Sequence, residues 1–108
     1  GGRVDDKDAE RGLKWAGPTP AQWAAYMNVD EETARKVVVA AAREVFEECG
    51  VLLAGYENGE MLTDLSDPSW EEDRRALESH QLALSEMLMR RNLVLRTDLL
   101  GLIEFPYP

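Results

Sequence analysis

Between Asp30 and Gly50 runs a segment whose end signals and interior together leave one local structure, and the rest of the chain has to fold around it. Asp30 is an N-cap residue, and Glu31 and Glu32 follow in the first turn, where carboxylates meet the positive end of a helix dipole. Gly50 takes the left-handed conformation that commonly closes a helix, which predicts a helix from 30 to 50. Residues 37 to 42 read Val-Val-Val-Ala-Ala-Ala, apolar on every side, so this stretch must be covered on more than one face. The valines weaken helix propensity, but the alanines and charged flanks favour helix over strand.

Elsewhere the signals are more local. Residues 1 to 18 read as an irregular arm anchored by Trp15 and ending in Gly17-Pro18. Thr19-Pro20-Ala21-Gln22 supplies an N-cap, a proline at the first helical position and a capping-box glutamine, so a short helix should reach about Asn28 with Trp23 and Met27 on its inner face. Val51 to Ala54 suits a short strand, and Gly55 to Gly59 a turn. Ser69 with Glu72 forms a second capping pattern, which predicts one long helix over 69–91 buried along Trp70, Leu77, Leu84, Met87 and Leu88, with Asn92 as its C-terminal cap. Val94 to Leu102 is expected to be a short helix, and 103–108 an extended, proline-broken tail.

With 108 residues the chain has room for a single domain. A net charge of −9 excludes a nucleic-acid surface and an anionic membrane surface, both of which need a basic footprint. An acidic chain that handles phosphate needs bound cations to reverse the local sign. Cys49 is the only cysteine, which excludes an internal disulfide and suits a reducing compartment. No signal-peptide pattern and no apolar run near 20 residues occurs, so the expected location is cytoplasmic.

The chemistry-bearing cluster lies in the second half of the 30–50 helix. Helical spacing places Glu44, Glu47 and Glu48 on one face, with Arg43 one turn before Glu47. Like charges crowded this way repel unless a cation or an arginine compensates them. Such all-oxygen donors suit hard ions, Mg²⁺ or Mn²⁺. The bland alternative is a solvated acidic face with Arg43 and Glu47 paired. His80 without a second ligand at metal spacing reads as a packed or surface residue, and Cys49 among acids is no nucleophile. Trp15, Trp23 and Trp70 read as buried anchors, and Arg90-Arg91 as a complement to a helix C-terminus.

Arg43-Glu44-Val45-Phe46-Glu47-Glu48-Cys49-Gly50-Val51 resembles the second half of the Nudix box, Arg-Glu-aliphatic-x-Glu-Glu-x-Gly-aliphatic, at every specified position. Such a nonamer should arise by chance roughly once in a hundred thousand chains of this size, which makes the match specific. The box's upstream glycine and glutamate are absent at their usual spacing, where Val29 and Arg35 stand. One Nudix branch, the coenzyme A diphosphatases, carries a long insertion inside the box. Gly1-Gly2-Arg3-Val4-Asp5, and Trp15-Ala16-Gly17-Pro18 with Trp23, resemble that branch's glycine motif and insertion. Gly2 would then be the displaced box glycine, and 3–29 the insertion arm with its short helix.

This resemblance implies an α/β/α sandwich, of which the chain would be a helix-rich, sheet-poor portion, since the strands normally found before the box glycine and after the second helix are not read here. It implies that Glu44, Glu47 and Glu48 bind Mg²⁺ or Mn²⁺, that Arg43 orients Glu47, that Gly50 frees the chain to leave the helix, and that Cys49 only packs. The implied activity is hydrolysis of a diphosphate linkage in a nucleotide derivative, coenzyme A or a similar nucleoside diphosphate-X. A sheet-poor fragment is also expected to gain from homodimerisation. The competing expectation is a small acidic helical module that binds a protein through its Trp and Leu stripes, or an inactive Nudix fragment.

Overall fold

The protein is described here by a computed structural model covering residues 12–60, 62 and 64–102. The Gly1–Asp5 segment with Gly2, and the tail 103–108, lie outside these residues. After the short strand β1 (Trp15–Ala16), helix α1 spans Pro20–Met27. Its capping box is formed: Thr19 Oγ1 accepts from the Gln22 N–H at 3.1 Å, and Gln22 Oε1 accepts from the Thr19 N–H at 2.9 Å. Asn28 ends it in the left-handed region. Helix α2 spans Glu31–Cys49, with Asp30 Oδ1 accepting from the Thr33 N–H at 2.7 Å and Gly50 at φ 72° closing it. Ala34, Val38, Val39, Ala40 and Ala42 are buried, because α1, α3 and α4 all pack against α2. The apolar run is thus covered on more than one face.

Strand β2 is Ala54–Tyr56, at the end of the stretch expected to be a strand, and the turn that follows occupies Glu57–Gly59. The expected single helix over 69–91 is two helices, α3 (Pro68–Glu78) and α4 (Leu84–Arg90). The break is a local C-cap: His80 sits at φ 64°, its N–H bonds the Leu77 carbonyl at 3.0 Å, and the Gln81 N–H bonds the Ala76 carbonyl at 2.8 Å. This pair of reversed bonds is a Schellman motif, and histidine is among the few non-glycine types that enter the left-handed region readily. The start also differs. Asp67, not Ser69, caps α3, accepting from the Ser69 N–H at 2.8 Å, with Pro68 at the first helical position.

The expected helix over 94–102 is strand β3 (Leu93–Arg96) followed by a 3-10 helix, Thr97–Leu102. β3 is the middle strand of a three-stranded mixed sheet of order β1-β3-β2, parallel to β1 (Trp15 opposite Leu95) and antiparallel to β2 (Ala54 opposite Leu95). Leu93, Val94 and Leu95 are all buried, as a central strand requires. The arm is therefore not wholly irregular, and a strand does follow the second helical region. Where the arm crosses the 3-10 helix, Thr97 Oγ1 donates toward the Pro18 carbonyl at 2.8 Å, and Gly17 has φ 112°. Among the described residues four helices and this small sheet share one core, in which Leu77, Leu84, Met87, Leu88 and Leu95 are fully buried. Among the described residues no helix is long and apolar enough to cross a membrane.

Candidate functional site

Phe46 fixes how α2 is turned. It is buried and meets Trp70 of α3 edge-on, with ring centroids 6.4 Å apart. At about 100° per residue, Arg43, Glu47, Glu44 and Glu48 then follow one another around the helix over roughly 140°, moving away from the core. Burial falls in the same order: Arg43 and Glu47 are buried, Glu44 is half-buried and Glu48 is exposed. The helix therefore places all four on one arc and hides one end of it.

Arg43 Nη1 donates to Glu47 Oε2 at 3.2 Å, with the two side chains only 5% and 8% exposed. This is a buried ion pair and not the solvated one of the bland reading, so its members are far less screened than a surface pair. Its surroundings run against ordinary helix electrostatics. Glu47 and Glu48 lie in the last turn of α2, where the dipole is negative and cations are preferred, and no basic residue of α2 occupies that turn.

Gly50 closes α2, donating its N–H to the Phe46 carbonyl at 2.9 Å in the left-handed conformation. A second arginine, on another helix, also reaches this turn: Arg74 Nε of α3 donates to the Glu47 carbonyl oxygen at 2.8 Å. A cleft of about 210 Å³ opens beside Gly50, lined by Phe46, Ser66, Asp67, Trp70 and Arg74 among others, and none of the three glutamates faces it.

Among the described residues no group of three or more His, Cys, Asp or Glu side chains is gathered closely enough to hold a metal ion. Glu44, Glu47 and Glu48 share an arc without forming a cage. The donor chemistry still fits a hard cation, since Mg²⁺ ordinarily takes one or two protein carboxylates and completes its shell with waters and substrate phosphate oxygens.

Cys49 is exposed instead of packed, and His80 is exposed at the α3 break and not on a helix. Trp23 and Trp70 are buried and Trp15 is half-buried against the core, as anchors should be. Arg90 and Arg91 do more than complement a helix end. Both bond the buried Asp73, at 2.8 and 2.7 Å, and Arg91 stacks 3.6 Å over the Trp70 ring, which fastens α4 to α3. Neither this clamp nor the Arg74 bond has a local sequence signal, since each joins residues far apart in the chain. Compared with known proteins, the chain matches no family model, no curated protein and no solved structure.

Proposed function

We propose that this chain carries the metal-binding helix of a Nudix-type α/β/α hydrolase that cleaves a diphosphate linkage in a nucleotide derivative, with coenzyme A as the preferred substrate. The observation that carries the reading is the buried Arg43–Glu47 pair at the end of α2, flanked by Glu44 and the exposed Glu48 and closed by a left-handed Gly50. The charged residues and the glycine that the nonamer specifies then have physical tasks. Arg43 holds the Glu47 carboxylate in one orientation. Glu44 and Glu48, one turn apart on the outer side of the arc, offer oxygens to Mg²⁺ or Mn²⁺. When bound, such an ion supplies positive charge to the pyrophosphate oxygens and acidifies water. With a formal charge of −9, the chain would otherwise repel a polyanionic substrate.

The rival reading, a protein-interaction module, needed the Trp and Leu stripes at the surface. Trp23, Trp70, Leu77, Leu84 and Leu88 are instead spent in the core. Among the described residues the exposed large apolar side chains are Tyr26, Val51, Tyr56 and Met89, which lie in separate parts of the fold.

Product release from coenzyme A and from ADP-ribose, measured with Mg²⁺ and with Mn²⁺, tests the proposal. Turnover of at least one substrate is expected, falling by roughly a hundredfold or more in Glu48→Gln, on the scale of removing one transition-state charge stabiliser. Absence of turnover with both ions, or an unchanged rate in Glu48→Gln, rejects it.

A further inference from the structure

An asparagine side chain can be attacked by the main-chain nitrogen of the residue that follows it, so its chemical lifetime depends on that residue. Asn28 is followed by Val29, Asn92 by Leu93 and Asn58 by Gly59. Glycine has no Cβ to crowd the approach of its nitrogen. At Asn28 the nitrogen concerned is also tied into a helix end, the Val29 N–H donating to the Ala24 carbonyl at 3.0 Å.

The loop around Asn58 is built differently. The Gly59 N–H donates to the Tyr56 carbonyl and the Tyr56 N–H to the Glu60 carbonyl, both at 3.0 Å, with Gly59 at φ 96°, which is a three-residue hairpin loop. Asn58 Oδ1 accepts from the Glu60 N–H at 2.9 Å, so the carboxamide is held against the main chain that follows it and its carbonyl carbon is polarised. Residues 56 to 60 are all exposed, and β2, which leads into the loop, stands at the end of the strand order. A Cβ placed on Gly59 would meet nothing within 4 Å. Bonds at such an uncovered tip open at little cost, which frees the Gly59 nitrogen.

We propose that Asn58 is a modification site at which the protein deamidates without an enzyme, giving the β2 loop an isoaspartyl linkage and a further negative charge. The Gly59 nitrogen loses its proton to hydroxide and bonds to Asn58 Cγ, while the Cγ–Nδ2 bond breaks and ammonia leaves, closing a succinimide ring. Water then opens the ring. Cleavage of the nitrogen–Cγ bond gives aspartate, and cleavage of the bond to the main-chain carbonyl carbon gives isoaspartate, with the chain now running through Cβ and Cγ. The added methylene disturbs the loop geometry that keeps Tyr56 and Glu60 paired. This chemistry does not depend on the hydrolase reading.

The test incubates the folded protein at several mildly alkaline pH values for days, then maps its peptides by mass spectrometry. The amide-to-acid mass change is expected several times faster at Asn58 than at Asn28 or Asn92, and faster as pH rises. Both products are expected, the isoaspartyl one being recognised by its resistance to an endoproteinase that cuts before aspartate. In Asn58→Gln, where the longer side chain would have to close a larger ring, position 58 should stay unchanged over the same period. Reaction at Asn58 no faster than at Asn28 and Asn92, aspartate as the sole product, or an equal rate in Asn58→Gln overturns the inference.

Discussion

Removing Arg43 should be far more damaging than removing an ordinary helix-surface arginine. In Arg43→Met the aliphatic bulk is kept, but Glu47, 8% exposed, loses the guanidinium that bonds it at 3.2 Å. Breaking a buried pair from one side costs roughly 3–5 kcal/mol, against about 0.2–1 kcal/mol for an exposed pair. The bond is at the long limit for N–H···O, which places the expectation near the lower end, ~3 kcal/mol. At roughly 4–8 °C per kcal/mol for a domain near this size, the melting temperature should fall by roughly 12 °C or more. The double variant Arg43→Met/Glu47→Leu removes both charges and should recover much of the loss, a coupling of about 2 kcal/mol. Thermal unfolding followed by circular dichroism, with both single variants and the double, gives the cycle. Single losses under about 1 kcal/mol, or single losses that simply add, would refute the claim that the pair is buried and mutually dependent.

Three further outcomes follow from the packing and the caps. Gly17→Ala should lower the melting temperature, since φ is 112° and the new Cβ would lie 2.4 Å from the Asp98 nitrogen; an unchanged melting curve would mean the crossing is loose. Leu84→Ala, at a site with no exposure, should cost roughly 2–5 kcal/mol in urea unfolding, whereas Tyr26→Ala, at 82% exposure, should stay within about 0.5 kcal/mol. The cap carboxylates of Asp30 and Asp67 are held below the usual aspartate range by the Thr33 and Ser69 backbone N–H groups. Because their folded values are depressed, their contribution is present above about pH 4 and is lost as pH falls through the lowered values. The variant Asp30→Asn/Asp67→Asn should therefore flatten the acid limb of the stability curve, and an identical limb in wild type and variant would contradict it.

The helices whose ends carry their own chemistry were legible from residues alone. Thr19-Pro20-Ala21-Gln22 and Asp30 through Gly50 each contain a start signal, and both helices lie where those signals put them. The Ser69 pattern misled because Asp67-Pro68, two residues earlier, is the cap actually used. Periodicity ran on through Leu77, Leu84 and Leu88, since both α3 and α4 bury the same side, and it hid a break made by His80 in a conformation no pattern marks. The sheet was nearly invisible for another reason. β1 is two residues long and β3 four, and their pairing joins positions about eighty apart, so neither strand has a period of its own to read. At the site, the arc of glutamates and the partner of Glu47 were set by helical spacing. The burial of that pair, and the reach of Arg74, depend on where α3 packs and could not be read locally.

Paramagnetic broadening places a bound cation most directly. Mn²⁺ added below stoichiometry to ¹⁵N-labelled protein should erase the amide signals of residues 44 to 50 first, with Mg²⁺ restoring them by competition. Loss centred on another acidic stretch, such as Asp64 to Glu72, or spread evenly over the chain, would contradict the assignment of the α2 terminus as a metal site.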